Sequence, residues 1–404
     1  MRTLYLEITP ARFLATRALG KLWSGAYFSA ISPLHIAELP DPPLPSPAWA
    51  RVRNRMCGIC GSDLHQIFLD ADLNIAPAAL PTHSRIYLGH EMVGTITEVG
   101  SEVCGLEVGQ RVVRWGRGDD CRARGREELC PACQRGHRVL CEYASEPRQH
   151  EPVGGGFGDS FISPAGSLIP VPDALPDEQA IFTEPAAVAI HAAWRRQPRP
   201  GEKLLLIGCG AIGCLLMQVL RKLCPDCDIT ALVQFGWQGE MAMTLGADRF
   251  LAGVANAYAK APEITGANRY AGMFSNTMLL GGWDVVYDVV GIPATLHHAL
   301  RWARAGGAVV LVGANLRRMK LDLTPVWYQE VDLIGAIGHD VVIWQGRELG
   351  TFQLAMAWML SGDIRTDLLL THRFPLNEYR RAFAVATVDK ARERSVKVAF
   401  NLSD

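Results

Sequence analysis

The run Gly58-Ile59-Cys60-Gly61-Ser62-Asp63-Leu64-His65, followed downstream by Gly89-His90-Glu91, sets a thiol, an imidazole and a carboxylate in two short stretches. Cys60 and His90 are ligand types that Zn²⁺ takes, and a catalytic zinc keeps few protein ligands so that substrate can fill the remaining position. Ser62 and His65, two and five residues past the thiol, are spaced to carry a proton away from a hydroxyl held there. Taken singly, each residue is as readily an ordinary filler of core or loop. Beside the nucleotide pattern further along, the set reads as chemistry.

That pattern spans Lys203 to Lys222. The apolar run Lys203–Gly208 has the character of a buried parallel strand, and Gly208-Cys209-Gly210-Ala211-Ile212-Gly213 opens a helical pattern. A lone GxGxxG is weak. Between a strand and a helix it gains force, because Gly208 permits the tight turn, Gly210 lets backbone approach a pyrophosphate and Gly213 allows close helix–sheet contact.

A chain of 404 residues exceeds what one hydrophobic core usually supports, so two domains are expected. With 49% hydrophobic and 20% charged residues and a net charge of −1, it carries no electrostatic footprint for nucleic acid. No apolar stretch reaches the ~18 residues of a membrane span. Eleven cysteines, an odd number, favour a reducing cytosol over a disulfide framework and so a cytoplasmic protein. The N-terminus lacks the apolar core of a signal peptide and reads as a first strand. Residues 11–30 are basic and rich in large apolar side chains, but Gly20 and Gly25 interrupt the pattern; a packed insertion is expected there rather than a membrane-docking helix.

Between Trp49 and Val113 short β-like runs alternate with Gly and Pro, suggesting an antiparallel barrel-like unit. The proline-rich stretch 39–47 reads as a linker or extended edge, and Gly154–Gly158 as a second flexible stretch. Beyond Glu184-Pro185, Ala186–Arg196 reads as a helix. Strands are expected at Lys203–Gly208, Ile229–Phe235, Arg249–Leu251, Trp283–Val290, Ala308–Gly313 and Leu333–Ile337. Six strands separated mostly by helical segments imply a doubly wound parallel sheet. Ala255–Gly282 is Gly/Asn-rich and long for a connection, and is read as irregular. The end, Ser395–Phe400, is strand-like. The expected division is a catalytic domain over 1–182, a nucleotide-binding domain over 183–338, and a return to the catalytic domain over 339–404.

Cys-Gly-Ser-Asp-Leu-His at 60–65, Gly-His-Glu at 89–91, Glu-Pro at 184–185, the glycine fingerprint at 208–213 and a cysteine-rich lobe bring the chain to a family. Over nearly its whole length it resembles the zinc-dependent medium-chain dehydrogenase/reductases, and the Gly-His-Glu and Glu-Pro variants look closer to the polyol and threonine branch. The resemblance implies an α/β protein made of a GroES-like β-barrel and a Rossmann domain. It implies a catalytic zinc surrounded by Cys60, His90 and Glu91, with Glu184 as a carboxylate that exchanges with Glu91 or water; a charge favoured at a helix N-terminus is the alternative for Glu184. Asp63 would fix the tautomer of His90. Ser62 would accept the substrate hydroxyl's proton and His65 would pass it on, while zinc stabilises the alkoxide that expels hydride to nicotinamide. Val312-Gly313-Ala314 looks like the surface on which the nicotinamide amide rests, and Trp115, His339 and Trp344 are candidates to line the substrate pocket.

Cys130, Cys133 and Cys141 match the last three cysteines of the family's structural-zinc lobe. Glu127 stands where the first is expected, leaving Cys121 as the substitute and a metal-free lobe as the alternative. Cys57 reads as a packed residue, and the Cys224–Cys227 pair, a CxxC near a helix end with no partner ligands flanking it, is expected to have no redox or metal role. At the end of the second nucleotide-domain strand, where an NAD enzyme usually places Asp or Glu, stands Gln234, and no Arg is there for a 2′-phosphate. The cofactor is therefore NAD or NADP. The function expected is hydride transfer between a secondary alcohol or polyol, or the ketone, and NAD(P), in a homodimer or homotetramer. A zinc-free quinone or enone reductase, or a non-catalytic nucleotide-binding protein, are the rival readings.

Overall fold

The computed structural model describes residues 1–76, 85–116, 120–146, 150 and 153–403. Trp49–Gly58, ten residues long, is the spine of one unit: it pairs antiparallel with Glu91–Val99, Ser160–Pro164 and Lys397–Asn401. Arg111–Arg114, Leu168–Pro170 and Leu370–Pro375 complete this sheet, so the last strand of the chain lies beside the strand that leads to Cys60. A smaller sheet joins Arg2–Glu7 to Leu34–Glu38 and Arg85–Tyr87. Phe157, Phe161, Phe383 and Phe400 fill the barrel's core.

The second unit is a six-stranded sheet, parallel throughout, in the spatial order Arg249–Ala252, Asp228–Val233, Lys203–Ile207, Trp283–Asp288, Ala303–Leu311, Asp332–Gly335. The strand order reverses beside Lys203–Ile207, and such a switch point opens a crevice at the strands' carboxyl ends. Lys203–Ile207 is nearly continuous Leu and Ile because helices cover both faces of a parallel sheet. Helix Ala211–Leu223 buries Cys214 to Leu220 and ends with Arg221 and Lys222, cations that suit a helix C-terminus. The fold is thus a GroES-like barrel joined to a doubly wound Rossmann sheet, the architecture expected.

Three segments differ from the expectation. Residues 255–282 are ordered: helix Val254–Thr265 ends at Gly266 (φ 78°), and Asn268–Ala271 forms a hairpin with Thr277–Leu280. Arg301 ties the hairpin down through Asn276 Oδ1 (2.5 Å) and the Thr277 carbonyl (3.3 Å), which no local pattern reveals. Gly154–Gly158 is packed rather than flexible: Gly156 and Phe157 donate to the carbonyls of Gly89 and Leu88, and a Cβ on Gly156 would lie 2.4 Å from Cys57 Sγ. Residues 11–30 form helix Pro10–Gly20, capped by Thr9, and a 3₁₀ turn at Ser24–Phe28. Phe28 stacks on Phe383, but Leu22 is 87% exposed.

Candidate active site and metal centres

Ligand atoms of Cys60, His90 and Glu91 all lie within 4.8 Å of one another. Cys60 caps helix Gly61–Ile67 at its N-terminus, and Glu91 opens its strand opposite Gly58. Gly58 has no side chain because a Cβ there would fall 2.3 Å from a Glu91 carboxylate oxygen. Asp63, 3% exposed, binds the loops together: its Oδ2 accepts from Cys60 N (3.1 Å), its Oδ1 from Gly89 N (3.2 Å), and His90 Nδ1 lies 3.4 Å from Oδ1. Burial pushes the Asp63 carboxyl up, yet His90 and the two backbone donors hold it below the usual carboxylate range. Burial opposes charge on His90, but Asp63 and Cys60 raise its pKa well above the usual. The thiol, imidazole and carboxylate of this set are ligand types that fit zinc.

Lys397 is the residue the sequence reading missed. Its Nζ donates to both Glu91 oxygens (2.7 and 2.5 Å) and to the Ile59 carbonyl (3.3 Å), with both charged side chains buried. Backbone pairing of Ile59 N with Val398 O (2.8 Å) delivers it there. Glu184 lies in the first turn of helix Thr183–Arg195, which starts three residues earlier than expected. It stands outside the 4.8 Å set. Burial, with Glu91 adding to it against the opposing charge of His90, pushes its carboxyl up to about 7.

Cys121, Cys130, Cys133 and Cys141 form the second cluster, all four buried and within 4.8 Å of one another. Cys121 Sγ is 3.7 Å from Cys141 Sγ and accepts from Cys130 N (3.4 Å), while Glu127 is exposed. Burial raises the thiol pKa of Cys130, but the backbone N–H groups of Cys133 and Glu142 outweigh it and bring the value down to about 7. Four convergent thiols with a stabilised thiolate suit a closed tetrahedral metal site. Arg138 braces the lobe by a two-point contact with Asp120, both at 2.9 Å. Cys57, Cys224 and Cys227 lie outside both clusters as buried thiols.

At the crevice, Gly208 has φ 96°, and a Cβ on Gly213 would fall 1.9 Å from Gly208 O, so helix Ala211–Leu223 meets the strand as closely as glycine allows. Ala211 and Ile212 form its first turn. Val312 and Gly313 donate to the Asp288 carbonyl (2.9 and 3.0 Å), fixing the Val312–Ala314 backbone. Asp288, fully buried and unremarked in the sequence, accepts from Val290 N, Gly291 N and Thr295 Oγ1.

Residues 46–173 match the alcohol dehydrogenase GroES-like domain and 211–359 the zinc-binding dehydrogenase domain, together more than half of the chain. L-idonate 5-dehydrogenase of Vitis vinifera is 31% identical, over 89% of this chain and 90% of that protein. Sorbitol dehydrogenase of Arabidopsis thaliana is also 31% identical, over the same shares. The alcohol dehydrogenase of Thermus sp. ATN1 superposes with a TM-score of 0.69, covering 99% of each chain at 24% identity. The chain belongs to the zinc-dependent medium-chain dehydrogenase/reductases. It is an NAD(P)-dependent oxidoreductase of the alcohol dehydrogenase type, with zinc as cofactor.

Within this dehydrogenase some expected partners do not meet. Ser62 and His65 sit three residues apart on the short helix, but no hydrogen bond joins them; His65 Nδ1 instead lies 3.1 Å from Asp70 Oδ2. Asp70 also pairs with Arg317 of the nucleotide half, and Asp72 N donates to Leu316 O (2.8 Å). Trp115 and His339 pack edge to face with centroids 4.5 Å apart, whereas Trp344 packs against Trp194 and Trp358. Gln234 is exposed, its backbone N–H donating to Gln238 Oε1 (3.3 Å), and beside it Phe235 and Trp237 stack nearly parallel. No helix among the described residues is long and apolar enough to cross a membrane.

Proposed function

We propose that the chain interconverts a polyol or other secondary alcohol with its ketone, using NAD(P). The observation that carries this reading is the Cys60–His90–Glu91 cluster, in a chain 31% identical to an L-idonate and a sorbitol dehydrogenase. These three residues would hold the catalytic zinc, with Glu184 as the exchanging carboxylate, and the four-cysteine lobe would hold a structural one. When bound, zinc supplies Lewis acidity that lowers a hydroxyl's pKa, and nicotinamide accepts the hydride. Ser62 takes the proton from the substrate hydroxyl and, through a bridging water or cofactor hydroxyl since no hydrogen bond joins the two side chains, hands it to His65, steadied by Asp70, which passes it to solvent. Lys397 orients Glu91 by donating to both of its oxygens, and Asp63 orients the His90 ring through Nδ1, leaving Nε2 for the metal.

Two buried polar atoms support a substrate with several hydroxyls. Trp115 Nε1 and His339 Nδ1 have no hydrogen-bond partner among the described residues, though both residues are at most 5% exposed. Burial, with His191, Arg138 and His90 adding to it, lowers the His339 pKa to about 3, so the ring is neutral and able to accept or donate. Gly208, Gly210, Ala211, Ile212 and Gly213 would seat the pyrophosphate, with Val312, Gly313 and Ala314 under the nicotinamide. Gln234 would stand beside the adenosine ribose, where no carboxylate repels a 2′-phosphate. The protein is assigned to the cytoplasm as a homodimer or homotetramer, a reading its free cysteines support for the compartment. The test is nicotinamide absorbance with a panel of polyols, simple secondary alcohols and amino alcohols, each with NAD and NADP. Turnover of polyols with kcat/KM for the two nucleotides within ~10³-fold, about 4 kcal/mol, is expected; no turnover of any hydroxyl substrate by zinc-loaded protein would overturn the proposal.

A further inference from the structure

Two lysines near the end of the chain meet opposite fates. Lys397 is buried and spent on Glu91. Lys390, at the start of the short helix Lys390–Glu393, has no ion-pair or hydrogen-bond partner for its ammonium among the described residues. The carboxylates nearest in sequence, Asp389 and Glu393, are both taken by Arg392 at 3.3 and 3.1 Å. The Lys390 backbone is fixed: its N–H donates to Thr387 O and its carbonyl accepts from Ser395 N, both at 3.1 Å.

Its ammonium points across the cleft at the glycine fingerprint. A Cβ built on Gly210 would meet one atom within 4 Å, Lys390 Nζ at 4.0 Å. Gly210 is the N-cap of helix Ala211–Leu223, whose first intrahelical bond is Cys214 N to Gly210 O (2.9 Å). The preceding N–H groups have no partner within the helix and aim outward at the same spot. A helix N-terminus and an unpaired cation thus converge from the two halves of the chain. Burial lowers the Lys390 pKa, and Lys397 lowers it further against a small opposing effect of Cys214. A cation kept half-buried among positive potential is a poor structural element and a good counter-ion for an arriving anion.

We propose that Lys390 is a phosphate anchor for the dinucleotide, gripping the pyrophosphate from the catalytic half while the helix N-terminus holds it from the nucleotide half. The inference rests on the placement of NAD(P) at Gly208–Gly213 given above, and adds a residue that lies outside the fingerprint. The anchor acts in binding and in drawing the two halves together over the cofactor; it takes no part in hydride or proton transfer.

The test is calorimetric titration of ADP-ribose, and fluorescence titration of NADH, on zinc-loaded protein. Lys390→Gln is expected to weaken both about 10- to 100-fold, the range of a charge-assisted hydrogen bond. It should also make the salt dependence of binding shallower, with zinc content and melting temperature unchanged. Lys390→Arg should stay within about threefold of the wild type. If wild-type protein binds ADP-ribose and Lys390→Gln binds it within twofold at low salt, the anchor is wrong and the nucleotide site stands. If wild-type protein binds neither ligand, the nucleotide placement and the anchor both fall.

Discussion

The two clusters of metal-ligand type are built in opposite ways. Cys121, Cys130, Cys133 and Cys141 come from one 21-residue lobe, are all buried, and point only at each other. Cys60, His90 and Glu91 come from a helix cap, a loop and a strand, and Cys60 and His90 keep some exposure. Of their supports, Asp63 lies on the helix that Cys60 caps, while Glu184 and Lys397 arrive from two further places in the chain. A closed local set of four thiols leaves no position for a substrate, while an open set of three ligands does. On the proposed reading the first holds the lobe together and the second does the chemistry, so the two should fail differently.

The sharpest break is Cys60→Ala, which should lower turnover by at least about 10³-fold, a loss typical of removing a principal catalytic group. It should cost one zinc while leaving the melting temperature close to wild type; near-normal activity and metal content would sink the assignment. Lys397→Met is next. It leaves Glu91 buried and unpaired, for which the expected loss of stability is about 3–5 kcal/mol, read by chemical denaturation. A loss below about 1 kcal/mol would mean that Glu91 finds another partner.

Cys133→Ser should act the other way from Cys60→Ala. Structural zinc contributes folding energy directly, so the melting temperature should fall by several degrees or more while the remaining folded fraction retains its kcat. An unchanged melting curve would mark the lobe as metal-free. A pH dependence of the metal-free protein is expected as well. Glu184 titrates near 7 when folded and near 4.5 otherwise, so across that window the folded chain keeps a proton the unfolded chain has lost. Stability should therefore fall as pH rises from about 4.5 to 7 and level off above. Glu184→Gln should flatten that slope, and an unaltered slope would show that Glu184 is not the group responsible.

What the sequence disclosed divides along the same line. The lobe, the glycine fingerprint and the six parallel strands are short-range patterns, in which turn glycines, apolar runs and cysteine spacing sit side by side. Even the displaced first cysteine was reachable, since Cys121 is the nearest thiol upstream. Lys397, more than 300 residues from Glu91, was not: a lysine in a terminal strand carries no mark of burial, and only the pairing of Ile59 with Val398 brings it in. Lys390 stayed hidden for the same reason. The spacing of Ser62 and His65 suggested a shared proton path but not that both lie on the short helix Gly61–Ile67, and the pairing of His65 with Asp70 depends on a turn that the spacing does not encode. The hairpin at 268–280 hangs on Arg301 and Tyr258, so its Gly- and Asn-rich composition alone suggested irregularity.

The central claim, that one cluster is open and catalytic and the other closed and structural, is tested most directly by timed extraction of zinc with a chelator, following metal, activity and circular dichroism together. The account predicts two phases: one zinc leaves first and takes the activity with it while the spectrum holds, and the other leaves slowly, in step with loss of structure. Release of both in a single phase, or activity that survives the first release, would contradict it.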